Sequence, residues 1–286
     1  MENHQHQTIF IKKSSGESEA FSVSKLINSL RKAGAEEEII KKVSADIQLW
    51  IYDGVTTQKI YKRAFSLLKK QSFHPVASRY KLKEALMELG PTGYPFEHFI
   101  AKVMETMGYS TEVGQVLQGK CVTHEVDVVA TKGLEQCFVE CKYGLSDDKN
   151  VNVKVPLYIR SRVNDIIDHR KQNKDFEGYI FHGWLVTNTR FTSDATDFGN
   201  CSGLHLLSWD YPQGNGLKDI IDREKIYPIT VLHQLSPEQI QHLLEKGIVI
   251  CRQLLDDPNL LKSFDLKLVK YKSIIKELNE LVSNNV

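Results

Sequence analysis

The sequence predicts an α/β protein in three parts. An N-terminal β-hairpin with a helical bundle spans 8–90, a mixed sheet flanked by helices spans 91–215, and a small helical segment spans 216–286. Three observations predict this. Through the middle of the chain, short β-like runs alternate with stretches of helical length and period. Gly90-Pro91-Thr92-Gly93 interrupts the pattern as a break between parts. The net charge of +1 hides an uneven distribution: residues 1–90 carry 15 Lys and Arg against 10 Asp and Glu, residues 91–215 carry 12 against 16, and the remainder is balanced. A chain of 286 residues also exceeds the ~100–200 of one ordinary domain.

Composition excludes several classes. At 41% hydrophobic and 26% charged the chain is neither disordered nor of low complexity. Its apolar runs fall far below the ~18 residues of a membrane span, and the N-terminus lacks the pattern of a signal peptide. A soluble, cytoplasmic protein with no membrane partner is expected. Five cysteines, an odd number without a CxxC pair, argue against a disulfide framework or a zinc site.

In order, Thr8–Ile11 and Glu19–Ser22 read as the strands of a hairpin whose turn is the polar run 12–16. Ser22 is the expected N-cap of a helix over 23–33, with Leu26, Ile27 and Leu30 on its apolar face. Helices follow over about 36–52, 57–70 and 75–89. The middle part opens with a helix over 94–107, stopped by Gly108. Strands are expected at 110–117, 125–131 and 136–143, then a helix near 156–171. A strand over 178–187, a helix near 193–199 and a strand over 203–209 complete it. Beyond about Asp219 the chain reads as helical, with Ser236-Pro237 opening one helix, Gly247 ending it, and further helices over about 250–255 and 266–282.

The most informative stretch is Phe138-Val139-Glu140-Cys141-Lys142-Tyr143. Alternation along a strand puts Glu140 and Lys142 on one face. Asp127 lies in the preceding strand, and the turn 131–135 suits a hairpin that brings it beside Glu140. Paired carboxylates repel unless a hard cation neutralises them, and Mg²⁺ (or Mn²⁺) accepts one or two carboxylates plus waters and a phosphate. A nearby lysine can orient water and stabilise phosphate charge. A solvated strand face uses the same residue types. His124 and Glu125 flank the cluster, Arg160 and Arg162 open a helix that either meets phosphate or solvent, and Arg190 follows a strand end.

The order Phe96-Glu97-His98-Phe99, Met107-Gly108-Tyr109, Glu125-Val126-Asp127, Glu140-Cys141-Lys142 and Leu185-Val186-Thr187-Asn188 resembles the PD-(D/E)xK restriction-endonuclease-like family, nearest its Mrr-type branch, over about 93–210. The resemblance implies that Asp127 and Glu140 bind metal, Lys142 assists the attacking water and Glu97 supports the metal shell. Many Mrr-type members carry Gln where Glu140 stands, and the Gly-rich approach to the aspartate is here Gly119-Lys120-Cys121-Val122-Thr123-His124.

The first part is similar to the ATP-cone over about 8–89. The matching residues are Ile11-Lys12-Lys13, Phe21-Ser22-Val23-Ser24-Lys25-Leu26, Tyr52-Asp53-Gly54-Val55-Thr56-Thr57, Ile60-Tyr61 and Val76-Ala77-Ser78-Arg79-Tyr80. That resemblance implies an ATP or dATP effector held by Lys12, Lys13, Lys25, Thr57 and Tyr61. The sequence contains no GxxxxGK[ST] loop, so binding and sensing are expected rather than hydrolysis. Leu235–Val249 looks like a helix-hairpin-helix unit, a kind of unit whose turn amides meet DNA phosphate and which also mediates protein contacts. The expected whole is a metal-dependent DNA endonuclease gated by ATP or dATP, assembling as a homo-oligomer and serving restriction or defence. The rivals are a nucleotide-responsive DNA-binding regulator that no longer cuts and a protein-interaction scaffold.

Overall fold

A computed structural model describes residues 8–13, 16–71, 74–146 and 149–282. The Ser14-Ser15 tip of the expected hairpin and the residues before Thr8 lie outside it. The chain forms two compact units, one ending at Lys81 and the other starting at Leu82.

In the first unit, β1 (Phe10–Lys12) pairs antiparallel with β2 (Ser18–Ala20). Helices α1 (Val23–Lys32), α2 (Glu37–Trp50) and α3 (Thr57–Gln71) follow, and α4 (His74–Met87) begins there. Leu26 and Leu30, Ile40, Val43 and Ile47, and Ile60, Ala64 and Leu68 recur at three- and four-residue spacing, so each helix buries one stripe in a shared core. Ser22 caps α1 as expected, accepting from the Lys25 amide at 3.3 Å. The hairpin is tied to the α2–α3 turn by the Phe10 amide on Asp53 (2.8 Å) and the Lys12 amide on the Val55 carbonyl (2.9 Å).

The second unit is a five-stranded mixed sheet in the order β3-β4-β5-β6-β7. It opens with α5 (Tyr94–Thr106), then β3 (Ser110–Gln118), β4 (Thr123–Lys132) and β5 (Glu135–Lys142) as an antiparallel meander. After α6 (Lys154–Arg170), β6 (Ile180–Thr187) joins β5 in parallel. After α7 (Ser193–Cys201), β7 (Leu204–Leu207) joins β6 in parallel. Parallel neighbours need a crossover, and α6 and α7 supply it. Val126, Val129, Phe138 and Leu185 meet Ile159, Val163 and Ile166 of α6 on one side of the sheet. Val128, Ala130, Val139 and Cys141 meet Phe96, Phe99, Ile100 and Val103 of α5 on the other.

The C-terminal helices α8 (Leu217–Glu224), α9 (Pro237–Glu245), α10 (Cys251–Asp256) and α11 (Leu268–Val282) bury Ile221, Leu243, Leu254 and Leu278 in that same α5-side core. Helix α8 was not expected as an element, and Asp219, where the helical segment was expected to begin, lies inside it. Eight residues are too few for periodicity to show. The helix is set instead by the Asp219 carboxylate receiving the Gly216 amide at 3.0 Å. No helix among the described residues is long and apolar enough to cross a membrane, and the five cysteines are free thiols.

The turn between β3 and β4 is pinned to α6. Asp165 accepts from the Cys121 amide at 2.9 Å, the Val122 amide at 3.3 Å and His124 Nε2 at 2.8 Å. His124, which flanks the carboxylate cluster in sequence, is spent on this clasp, and its hydrogen bond is the main reason the Asp165 carboxyl is held down to about 2. Gly119 must be glycine here, because a Cβ would stand 2.2 Å from Asp165 Oδ2 and 2.6 Å from the Val122 carbonyl oxygen. Gly119→Ala is expected to cost about 1–3 kcal/mol in urea unfolding; an unchanged midpoint would contradict this packing.

Candidate functional site

The site is built where β4 and β5 run side by side. Their register pairs Val128 with Val139, which makes Asp127 and Glu140 the next positions along the ladder. Asp127 also marks an irregularity. On its other side the β3–β4 register pairs residues 110–113 and 115–118 but skips Gly114, the position opposite Asp127. Gly114 has φ +65°, a conformation that other residues resist. Val126 packs on the α6 side and Val128 on the α5 side. Residues two apart in a regular strand face the same way, so β4 turns over at Asp127. The freed carboxylate bonds back to β5, accepting from the Cys141 amide at 2.6 Å. Burial first, and then the neighbouring Glu140, push the Asp127 carboxyl up to about 6.

Glu140 is 7% exposed. Its Oε1 is engaged by Lys142 Nζ, as expected for residues sharing a strand face, and its Oε2 accepts from Arg162 Nη1 at 2.7 Å. Arg162 also donates to the Glu125 carbonyl and lies over the Tyr158 ring, 5.4 Å from its centroid. The expectation that Arg162 meets phosphate or solvent is thereby corrected. Its place in α6 falls on the stripe Ile159, Val163, Ile166 at helical spacing, which turns it toward the sheet. Arg190, a further candidate cation, pairs with Asp210 at 3.0 Å.

Glu97, on the first turn of α5, is half-buried and pushed up to about 7, by burial first and then by Asp127, Glu125 and Glu140. The structure therefore brings Glu97, Asp127, Glu140 and Lys142 into one electrostatic neighbourhood. A pocket of about 320 Å³ opens beside Lys142 toward Gly144, Asn150 and Thr189. Asn188 fastens one wall, accepting from the Gly144 amide and donating to the Gly144 carbonyl, each at 2.8 Å. Sequence reasoning passed over Arg162 as the partner of Glu140 and Asn188 as a clamp. The helical period could have given the first; nothing local signals the second.

Asp127 and Glu140 suit a divalent cation. After burial, their repulsion is the next cause of the raised Asp127 carboxyl, and a hard cation would relieve it. Among the described residues no group of three or more His, Cys, Asp and Glu side chains gathers as a ready cage. Two carboxylates with waters and a substrate phosphate form a sufficient Mg²⁺ site.

In the first unit, Lys13 and Lys25 converge on Glu19, each with Nζ 3.2 Å from its Oε2. Lys12 ends β1 beside Thr56 through a parallel bridge, and Thr57 opens α3 next to it. Tyr61 is occupied differently: it stacks on Tyr80 at 4.9 Å, and its hydroxyl donates to the Tyr80 carbonyl at 3.1 Å. The lysines and Thr57 thus gather at the hairpin, while Tyr61 is held against α4.

The helix-hairpin-helix expectation meets an obstacle. The Gly247 and Ile248 amides bond to carbonyls of α9, and the Val249 and Ile250 amides bond to Gln253 Oε1 at 2.8 and 3.0 Å. The turn amides proposed for phosphate are already satisfied within the chain.

Two raised carboxyls make the site pH-sensitive. The folded chain holds protons on Asp127 and Glu97 up to about 6 and about 7, above their ordinary 3.8 and 4.5. It therefore binds more protons than the unfolded chain between about pH 4 and 7, and their contribution to metal-free stability falls as pH rises through that window. A divalent cation must displace those protons. The Tm increase from Mg²⁺ is expected to be at least about twofold larger at pH 8 than at pH 5.5; equal increases would contradict the linkage.

Three family profiles match the chain in order. One described as ATP cone domain covers 9–84, one described as Restriction endonuclease (Mrr catalytic) covers 90–211, and one described as AF1548-like, C-terminal, covers 227–282. An uncharacterized protein of Archaeoglobus fulgidus is 28% identical over 184 residues, spanning 64% of this chain and 99% of its own length. A crystal structure titled as a protein of unknown function, AF1548, has TM-score 0.55 and 28% identity, covering 67% of this chain and 98% of its own. In order along the chain, the matches are thus to an ATP cone domain, a restriction endonuclease domain and an AF1548-like C-terminal segment.

Proposed function

We propose that the protein is a divalent-metal-dependent DNA endonuclease whose cutting responds to ATP or dATP bound by its first unit. One observation carries this reading: Asp127 and Glu140 stand one step beyond the last paired positions of β4 and β5, with Lys142 on Glu140, inside the stretch that matches restriction endonucleases. Asp127 and Glu140 would hold Mg²⁺ or Mn²⁺, which supplies Lewis-acid activation of the scissile phosphate and of a bound water. Lys142, more exposed than its partner, would release Glu140 to hold the attacking water and meet negative charge developing on the phosphate. Glu97 would add an outer carboxylate to the metal's waters. The acidic central part lacks a broad positive field, so DNA attraction would rest on local cations and the metal itself.

In the first unit, a triphosphate would take the place that Glu19 now holds between Lys13 and Lys25, with Lys12 and Thr57 beside it; Tyr61, which the resemblance also implies, would join only by leaving its stack on Tyr80. We assign the functional parts to 8–90, 91–215 and 216–286, and infer a cytoplasmic homo-oligomer acting in restriction or defence. A second reading, a non-cutting nucleotide-responsive DNA-binding regulator, draws support from Glu140 itself. Both its oxygens are engaged by cations of the chain, an arrangement that also serves structure alone.

The test is incubation of plasmid DNA with Mg²⁺ or Mn²⁺, with and without ATP and dATP. The wild type is expected to cut, and Asp127→Ala and Lys142→Ala to lose about 10³-fold or more. DNA binding without cutting under every condition would favour the regulator. In a nucleotide-binding assay, Lys12→Ala and Lys25→Ala are expected to weaken ATP about tenfold, and Glu19→Gln to tighten it; unchanged affinities would sink the nucleotide site.

A further inference from the structure

Arg162 is the charged side chain whose placement the proposed chemistry leaves unexplained. It occupies the buried stripe of α6 among Ile159, Val163 and Ile166, where an apolar residue would be the ordinary choice. It is 14% exposed, and its guanidinium is fixed from three directions: Glu140 Oε2 at 2.7 Å, the Glu125 carbonyl, and the face of Tyr158. The other cation on Glu140, Lys142, is 39% exposed, and Glu140 Oε1 is its only hydrogen-bond partner among those described. One cation is built into the scaffold and the other rests on a flexible stem.

We propose that Arg162 is a positioning residue that clamps Glu140 Oε2, so that Oε1 alone is presented toward Asp127 as the metal-facing oxygen, with Lys142 as the cation that yields. The inference rests on the metal-site reading above and adds a division of labour within it. A planar guanidinium suits this task because its two Nη atoms can hold the Glu125 carbonyl and the carboxylate at once, which fixes the carboxylate's rotation as well as its place. Glu125 and Glu140 lie in different strands, so the same fork also sets the spacing between β4 and β5 at the metal-facing end.

A competing picture follows from the same contacts with opposite consequences. If Arg162 merely occupied the place of a divalent cation, removing it would free Glu140 and tighten metal binding. Mn²⁺ binding to DNA-free full-length protein, followed by electron paramagnetic resonance, separates the two. Wild type is expected to bind one Mn²⁺ that Asp127→Ala abolishes. Arg162→Met is expected to weaken that Mn²⁺ tenfold or more, and Arg162→Lys, which keeps charge but loses the fork, at least threefold. Lys142→Met is expected to leave affinity within threefold of wild type or to tighten it. Thermal unfolding of each metal-free variant checks folding; should Arg162→Met fail to fold, Arg162→Lys decides. Unchanged or tighter Mn²⁺ in the Arg162 variants, with wild-type binding intact, would overturn the clamp alone. Absence of any Asp127-dependent Mn²⁺ in the wild type would overturn the metal site and the clamp with it.

Discussion

Crowding of negative charge at one end of β4 and β5 is the constraint on which the second unit is organised. Glu140 is buried and Asp127 partly buried beside it, with Glu97 close enough to feel both. Carboxylates in that setting are costly unless something compensates them. The chain supplies a backbone amide from Cys141 to Asp127, a largely buried guanidinium from Arg162 to Glu140, and a partly exposed ammonium from Lys142. What remains uncompensated appears as protons held on Asp127 and Glu97 above their ordinary range. In the proposed reading, a divalent cation would relieve that tension.

Helix α6 is the part of the scaffold that makes the crowding tolerable. Its apolar residues cover one sheet face, and two of its polar residues reach to the strands it covers. Arg162 joins Glu140 to the Glu125 carbonyl, and Asp165 holds the β3–β4 turn through two amides and His124. Successive turns of one helix thereby fix the carboxylate and the entry of the strand that carries Asp127. Placing the site on strands backed by a helix, rather than on loops, is what precise positioning of reacting groups requires.

Local patterns carried most of the fold. The hairpin, the Ser22 cap, the order of strands and the Glu140–Lys142 pairing follow from alternation, capping chemistry and turn residues, and the structure places them within a few residues of expectation. The parts that were not legible depend on contacts far apart in sequence. The reversal of β4 at Asp127 coincides with Gly114, thirteen positions away and skipped by the β3–β4 register, and no local pattern signals it. Arg162 read as a surface cation because its carboxylate partner is twenty-two residues upstream. His124 flanks the cluster in sequence although α6 claims it, and the α9–α10 turn resembled a unit that meets DNA phosphate or protein although Gln253 satisfies its amides. In each case a long-range polar partner decided the role of a residue whose local pattern allowed two.

The most direct test of the central claim is the anomalous scattering of Mn²⁺ in crystals of the full-length protein soaked at neutral pH. The account requires an anomalous peak between the Asp127 and Glu140 carboxylates, within about 2.0–2.3 Å of an oxygen of each, with Arg162 still on Glu140. Saturating Mn²⁺ that leaves this position empty, with Lys142 and Arg162 both still bound to Glu140, would show the carboxylate to be a structural ion pair and would contradict the account.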